Sequence, residues 1–218
     1  MDEAIKKVSL VIQRHSMLIG GREYCKWIDD CYLLIGKARF YKYDFYNSFE
    51  AFQYVVSEYK QEAIRYDAML WLIQANIQLH DLPEAENLVE FLKRDPKFPG
   101  RLKGQYAAVA ADFYMQRKNY PKVIEELGQA IAFTKKRALR SRYMFILAQL
   151  YQQQGEQKKA FDLYGQVIKL NPPYEMTFNA KINQARSFET SSGNSKEMKK
   201  QLNKMLKDEK ICDGVHIM

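Results

Sequence analysis

The stretch that decides the fold is residues 141–174, which read SRYMFILAQLYQQQGEQKKAFDLYGQVIKLNPPY. When Ser141 is counted as position 1 of a 34-residue unit, small residues stand at positions 8 and 20, Ala148 and Ala160. Large side chains stand at positions 4, 7, 11, 24 and 27, where they can fill the space between two helices. Pro172, at position 32, ends the second helix because proline has no N–H to donate and disfavours helical geometry in the preceding residue. The segment therefore predicts two closely packed antiparallel helices.

This spacing is similar to that of the tetratricopeptide repeat (TPR), whose helix pairs stack into a right-handed superhelical solenoid. The same frame recurs upstream, and we predict that the chain is all-α and built from four such repeats. In the earlier frames Gly36 and Ser48 take positions 8 and 20 of the first, and Ala85 and Val123 take position 20 of the next two. The interval of 37 to 38 residues predicts connections between units that are three or four residues longer than usual. The predicted repeats are 29–62, 66–99, 104–137 and 141–174.

The two ends of the chain read as further repeat material. Residues 2–16 predict one amphipathic helix, with Ala4, Val8 and Ile12 on one face, as the second helix of a partial unit. Residues 175–208 predict a fifth helix pair, 175–190 and 195–208, joined by a loop at 191–194. Residues 211–218 fit no repeat and are predicted to be an irregular tail. We therefore expect a single TPR solenoid over residues 1–210.

The composition narrows the classes of partner. The formal net charge of +8 and the pI near 9.2 favour anionic partners, but the charges are not clustered as in a dedicated nucleic-acid binder, so we expect no nucleic-acid ligand. No apolar run approaches the roughly 18 residues of a transmembrane helix. The first residues lack the pattern of a signal peptide, which predicts a cytoplasmic protein if the chain is complete as given.

A search for catalytic and metal-binding motifs finds none. His15, His80 and His216 are too far apart in sequence to suggest a zinc site, which needs clustered ligands. Phosphate-binding glycine loops, nucleophile elbows and zinc-protease motifs are all missing. The sequence therefore predicts a protein without enzymatic activity, cofactor or metal.

The fold predicts a binding groove on the inner side of the stack. Positions 2, 5, 9 and 12 of each first helix should point into it, and they present apolar and amide side chains suited to an extended segment or a helix of a protein partner. The alternative is that some of these residues, notably Leu33 and Phe145, pack against neighbouring helices. The predicted groove residues are Asp30, Leu33, Lys37, Phe40, Asp67, Leu70, Gln74, Ile77, Gln105, Ala108, Asp112, Met115, Arg142, Phe145, Gln149 and Gln152.

Positive charge is concentrated in the predicted connections between units. Connections of this type lie along one edge of a solenoid, so they predict a basic rim that docks on an acidic partner or makes peripheral contact with anionic lipid head groups. The alternative is ordinary solvated loop charge. A basic helix near the end would extend the rim with Lys196, Lys199, Lys200, Lys204 and Lys207. The predicted rim residues are Lys93, Arg94, Lys97, Arg101, Lys103, Lys135, Lys136, Arg137, Arg140 and Arg142.

Several segments resemble one particular family. Residues 2–7 (DEAIKK), 26–37 (KWIDDCYLLIGK), 171–181 (NPPYEMTFNAK) and 191–196 (SSGNSK) are similar to the N-terminal repeat region of the PorW/SprE-type lipoproteins of Bacteroidetes. The likeness extends through most of residues 2–210. Its segments belong to the repeat framework and carry no catalytic group.

The resemblance implies a cell-envelope lipoprotein required for type IX protein secretion and, in gliding species, for motility. Such a protein would link the motor complex to the outer-membrane secretion machinery from the periplasm. The family's lipidation cysteine and its long C-terminal remainder have no counterpart here, which a fragment of a longer protein would explain. The alternative is a cytoplasmic TPR adaptor with an unrelated protein client.

Overall fold

The computed structural model describes residues 1–20, 22–60 and 63–188, together with 199, 200 and 203. Helices dominate this part of the chain, which confirms the predicted all-α fold of antiparallel TPR helix pairs. A hairpin of two short strands, β1 (Leu18–Ile19) and β2 (Arg22–Glu23), follows the first helix. The helices are α1 (Asp2–His15), α2 (Ile28–Phe40), α3 (Phe45–Glu58), α4 (Ile64–Gln78), α5 (Leu82–Arg94), α6 (Lys103–Gln116), α7 (Tyr120–Phe133), α8 (Arg137–Gln153), α9 (Gln157–Lys169) and α10 (Tyr174–Arg186).

The chain divides into two compact units, residues 1–129 and 130–218, and the boundary falls within α7. In unit 1 each helix from α1 to α5 contacts the next one along the chain, and the first helices of successive repeats, α2, α4 and α6, also contact one another in order. In unit 2, α8 packs on α9 and α9 packs on α10. The four predicted repeats correspond to the pairs α2–α3, α4–α5, α6–α7 and α8–α9.

The same positions of the predicted repeat frame are buried in all four repeats. Position 20 is occupied by Ser48, Ala85, Val123 and Ala160, and all four have no exposed surface. Positions 24 and 27 are likewise buried in every repeat. One stripe of each second helix is thus withdrawn from water, as burial of a single face of an amphipathic helix requires.

The turn inside each helix pair has the same backbone conformation in all four repeats. Position 15 has positive φ every time: Tyr43 (63°), His80 (62°), Lys118 (55°) and Gly155 (81°). The N–H of position 16 donates to the carbonyl of position 11 in each repeat, as in a Schellman motif that ends the first helix. Only the fourth repeat has the glycine that this conformation favours, so the other three retain a strained residue.

We predict that His80→Gly stabilises the protein. A left-handed conformation costs an ordinary residue about 1–2 kcal/mol, and glycine gives back part of this through its greater unfolded-state entropy, so the free energy of unfolding should rise by about 0.5–1 kcal/mol. Urea unfolding followed by circular dichroism measures it. His80→Ala is the control, because alanine keeps the strain; an equal gain for alanine would show that the histidine side chain, and not its backbone angle, is responsible.

The paired helices of the first repeat approach each other closely. Gly36 on α2 faces the buried ring of Phe52 on α3, and a Cβ built on Gly36 would lie 2.4 Å from that ring. The Ser48 hydroxyl donates to the Gly36 carbonyl at 3.0 Å, which fixes position 20 against position 8. A small residue at position 8 is therefore a packing requirement of this pair.

Gly36→Ala should destabilise unit 1 by about 1–3 kcal/mol, because the added methyl group overlaps a ring that has no room to move. Gly128→Ala on α7 is the matched substitution, since a Cβ there meets no described atom within 4 Å. It should instead gain about 0.5–1 kcal/mol from helix propensity. Thermal and urea unfolding compare the two variants; equal effects would mean that Gly36 is not required by packing.

The structure differs from the sequence-based expectation at the start of α8 and in the packed face of α1. The extra residues of the third connection lengthen α8, which begins at Arg137, four residues before the frame. The half-buried side chains of α1 are Ile5, Val8 and Ile12, because Ala4 lies on the exposed side. Of the predicted fifth pair, α10 is present, while most of its second helix (195–208), the loop 191–194 and the tail 211–218 lie outside the described residues.

Candidate protein-binding surfaces

The first helices of unit 1 lie against one another, α2 on α4 and α4 on α6. Lys37 of α2 interacts with Asp67 and Trp71 of α4, so predicted groove residues of the first two repeats share one surface. We call this surface the inner face. Its members, as the structure has them, are Asp30, Lys37, Phe40, Trp71, Asp67, Gln74, Gln105, Ala108, Asp112 and Met115.

Position 9 supplies a row of half-buried polar side chains along the inner face, namely Lys37, Gln74 and Asp112. Burial lowers the pKa of Lys37, against the opposing charges of Asp67 and Asp30. Burial also raises the pKa of Asp112 above its ordinary value. No described residue donates a hydrogen bond to the Asp112 carboxylate or pairs with it. The polar groups of Lys37, Gln74 and Asp112 are therefore partly removed from water, and contacts with other described residues offset that cost only in part.

An aromatic cluster lies beside this row. The Lys37 ammonium group is 5.6 Å from the ring centre of Trp71, within the range of a cation–π interaction. The Phe40 ring meets the Trp71 ring edge-on at 5.5 Å, and the more exposed Tyr41 meets it at 5.7 Å. Trp71 and Tyr41 were not among the predicted groove residues, because they fall at positions 6 and 13 of the frame. The aromatic content of these helices was the only sequence signal for them.

Three predicted groove residues are core residues instead. Leu33, Leu70 and Ile77 are 6%, 0% and 2% exposed, so they offer no surface to a ligand, and the groove assignment is wrong for them. Leu33 packs with Phe52 and other buried side chains of α3 and α4, which confirms the packing alternative for that residue. The reason is that α2 and α4 are covered on more than one side by neighbouring helices.

In unit 2 the predicted groove residues lie on α8. Arg142 and Gln149 are exposed. Phe145 packs against the buried core of this unit, with its ring edge-on to Tyr164 at 5.6 Å. The amide oxygen of Gln152 accepts a hydrogen bond of 3.0 Å from the Tyr164 hydroxyl. Phe145 and Gln152 therefore help to hold the α8–α9 pair together, which leaves Arg142 and Gln149 as the accessible pair.

The first basic cluster comprises Lys93, Arg94, Lys97, Arg101 and Lys103. Some of its positive charges are paired with acidic side chains in the folded chain. Arg94 lies 3.3 Å from Glu90, and Arg101 lies 2.7 Å from Asp67 on the inner face. Lys93 and Arg94 lie at the end of α5, and Lys103 begins α6. Arg101 lies in a short 3-10 turn. Of the five residues, only Lys97 therefore lies in the irregular part of the connection. The Arg101–Asp67 salt bridge therefore joins a residue of the predicted basic rim to a residue of the predicted groove, which were predicted as separate surfaces.

The second basic cluster keeps its charge. Its residues are all exposed, and within the described part of the chain none forms an ion pair with an acid. Arg137, Arg140 and Arg142 lie on the first turns of α8, not in a loop, where they oppose the helix dipole. Lys199 and Lys200 of the predicted basic helix are exposed, while Lys196, Lys204 and Lys207 lie outside the described residues. The cluster itself comprises Lys135, Lys136, Arg137, Arg140 and Arg142.

The described ranges contain neither a metal-binding cluster nor a membrane-spanning helix. There, no group of three or more histidine, cysteine or acidic side chains is arranged to hold a metal ion. Within the same ranges no helix combines the length and the apolar character needed to cross a bilayer.

We predict that Asp112→Asn stabilises the protein at neutral pH. The folded-state pKa of Asp112 is raised above the unfolded value of about 3.9, so folding favours the protonated carboxyl, and stability is lost as pH rises from the unfolded pKa through the folded one. The neutral amide removes this loss. Urea unfolding from about pH 7 down to about pH 4 should show the gain at the upper end shrinking as the pH falls.

Glu50→Gln, at an exposed position on α3, is the control for Asp112→Asn and should change stability little across this range. A gain for Asp112→Asn that is independent of pH would contradict the assignment to the ionised carboxylate.

Comparison with known proteins places the fold among TPR structures. Two crystal structures of MamA are similar to this chain: one with a TM-score of 0.56 at 17% sequence identity, over 84% of this chain and 90% of MamA, the other with 0.57 at 20% identity, over 81% and 97%. The TPR-like repeats of a protein from Podosopora anserina, described as a kinesin light chain, align with a TM-score of 0.62 at 17% identity, over 83% of this chain and 95% of that one.

No protein-family model and no curated protein matches the sequence at a significant level. At these identities the structural likeness establishes the TPR fold alone. It agrees with the repeat frame read from position 20 and with the shared turn at position 15.

Proposed function

We propose that this protein is a non-enzymatic scaffold that binds segments of other proteins along the inner face of α2, α4 and α6. The observation that carries the proposal is the row of Lys37, Gln74 and Asp112, whose polar groups are half-buried at equivalent positions of three stacked helices. Burying polar groups costs stability unless partners satisfy them. A bound segment would supply those partners.

The chemistry of the row indicates what the segment should carry. Asp112 accepts hydrogen bonds, so a lysine, arginine or amide side chain of the partner should face it. Phe40 and Trp71 offer an apolar surface next to Lys37. An extended segment or an amphipathic helix with one apolar and one donor side chain fits this arrangement.

A photo-crosslinking amino acid at Gln74 in the full chain, compared with one at the exposed Gln53 of α3, tests the location of the binding surface. We expect partner proteins to crosslink from position 74 and not from position 53. The affinity of a captured partner should fall about tenfold or more for the variant Gln74→Ala/Asp112→Ala, because each lost bond to a charged group costs about 1.5–3 kcal/mol.

The matched control is Gln53→Ala/Glu50→Ala, which removes the same kinds of group from an exposed face of α3. It should bind like the unmodified chain. Equal affinities for both double variants would exclude the inner face as the binding surface.

We further propose that the two basic clusters assist docking to acidic surfaces of the partner. The unpaired cluster on the connection before α8 and on its first turns should contribute most, because Arg94 and Arg101 are already paired in unit 1. Exposed charges are screened within about 8 Å at physiological salt, so affinity should fall steeply with ionic strength. Binding that is unchanged between low and high salt would exclude this contribution.

For the cellular role, we propose a component of the type IX secretion and gliding machinery in the cell envelope, which the resemblance of residues 2–7, 26–37, 171–181 and 191–196 supports. Fractionation of the native organism, followed by crosslinking in envelope extracts, tests it. Recovery with secretion-machinery proteins is the expected result. Recovery in the cytoplasm with unrelated clients would favour the adaptor alternative.

A further inference from the structure

A cavity of 1090 Å³ opens in unit 1. Its walls come from Lys60 and Ala63, the first turn of α4, one side of α5 and the α5–α6 connection. Ligand sites commonly have volumes of about 300–1,000 Å³, so the cavity has room for a side chain together with its neighbours in a peptide. The lining residues that matter here are Lys60, Arg65, Phe91, Arg94, Asp95 and Lys97.

The acids of the cavity are already occupied. Glu90 pairs with Arg94 at 3.3 Å. Asp95 accepts one hydrogen bond of 2.8 Å from the Tyr66 hydroxyl and another of 2.8 Å from the Lys97 backbone N–H. These contacts, the backbone bond first, lower the pKa of Asp95, so it stays ionised and holds the connection in place.

Among the described residues that line the cavity, four are basic and two are acidic. Arg94 is matched by Glu90. Lys60, Arg65 and Lys97 then stand against the ionised Asp95, whose pKa Arg65 and Lys97 help to lower. The positive charge left over among these residues faces a concave space, where a bound anion is more strongly attracted than on a flat surface.

Arg65 has the geometry of an anion ligand. One terminal nitrogen donates to the Lys60 carbonyl at 3.3 Å, and the guanidinium carbon is 5.7 Å from the ring centre of Phe91. Its Nε atom is buried and has no hydrogen-bond partner among the described residues. The planar group is thus held in place by a ring and a carbonyl while part of its donor set is unused, as bidentate binding of a carboxylate or phosphate requires.

We infer that this cavity binds an anionic group, a carboxylate or a phosphate, on a peptide segment of a protein partner. Arg65 and Lys97 bind the anion, and the half-exposed Phe91 packs against an apolar neighbour in the same segment. The inference rests on the proposed scaffold function and adds a second contact surface to it. The cavity residues do not overlap with the row of Lys37, Gln74 and Asp112.

Arginine Nε–Hε resonances of the full chain, recorded by ¹⁵N–¹H spectroscopy, test the site directly. Inorganic phosphate and acetate are titrated at constant ionic strength, and the Arg65 signal is assigned by its loss in Arg65→Lys. We expect a saturable shift of the Arg65 signal with at least one of the two anions and none with chloride. A shift that is not saturable, or that is shared equally by all arginines, overturns the inference.

Labelled hexapeptides distinguish the sources of the anion. One peptide carries phosphoserine, one glutamate and one glutamine at the same position beside a leucine. Tighter binding of the phosphoserine peptide identifies a phosphate site, and tighter or equal binding of the glutamate peptide identifies a carboxylate site. Equal binding of the glutamine peptide overturns the inference.

The variant Arg65→Gln/Lys97→Gln should weaken binding of the preferred peptide about tenfold or more, because it removes both anion ligands. The matched control Lys6→Gln/Arg14→Gln makes the same charge change on exposed positions of α1 and should leave binding within about twofold. Equal losses would mean diffuse attraction instead of a site. Circular dichroism and thermal unfolding verify the fold, with Lys97→Gln alone as the milder second variant.

This test and the crosslinking test fail separately. If the peptides do not bind the cavity but partners still crosslink from position 74, the second contact surface is excluded and the proposed scaffold function stands. Cavity binding with no crosslinking from position 74 removes the inner face and leaves the anion site.

Discussion

The close contact between the two helices of each repeat is the constraint on which the rest of the structure depends. Where Gly36 meets Phe52 and Ser48, the helices approach until one hydroxyl can reach a backbone carbonyl at 3.0 Å. The same position 20 is withdrawn from water in all four repeats. A larger side chain at these points would separate the helices, and the neighbouring pairs would lose the surface on which they stack.

The same turn at position 15 occurs in every repeat and lets the two helices of each repeat pack against each other. Each first helix ends in a left-handed residue, so the chain reverses through the same kind of turn whether that residue is glycine, tyrosine, histidine or lysine. The strain in Tyr43, His80 and Lys118 is outweighed by the burial that follows. Because α2, α4 and α6 lie next to one another in unit 1, their polar residues at position 9 occur at equivalent points of stacked helices.

Charge is distributed unevenly over unit 1. Asp30, Asp67 and Asp112 make the inner face mainly acidic, whereas the cavity beside α5 is basic. The Arg101–Asp67 bridge connects the two regions. A partner that uses both surfaces would carry donor groups at one place and an anionic group at another, and such a pattern gives specificity that an apolar groove alone does not.

The sequence by itself determined the repeat frame, the helix pairs and the small residues that let them pack, because these depend on periodic burial within about 34 residues. It also identified Leu33 as a residue that could belong to the core. It could not show that Leu70 and Ile77 are buried as well, since their cover comes from neighbouring helices. Only the tertiary structure brought Arg101 to Asp67, because that contact depends on how a connection of unusual length folds back on α4. It also brought Arg65 to Phe91, because that contact depends on how α4 and α5 pack.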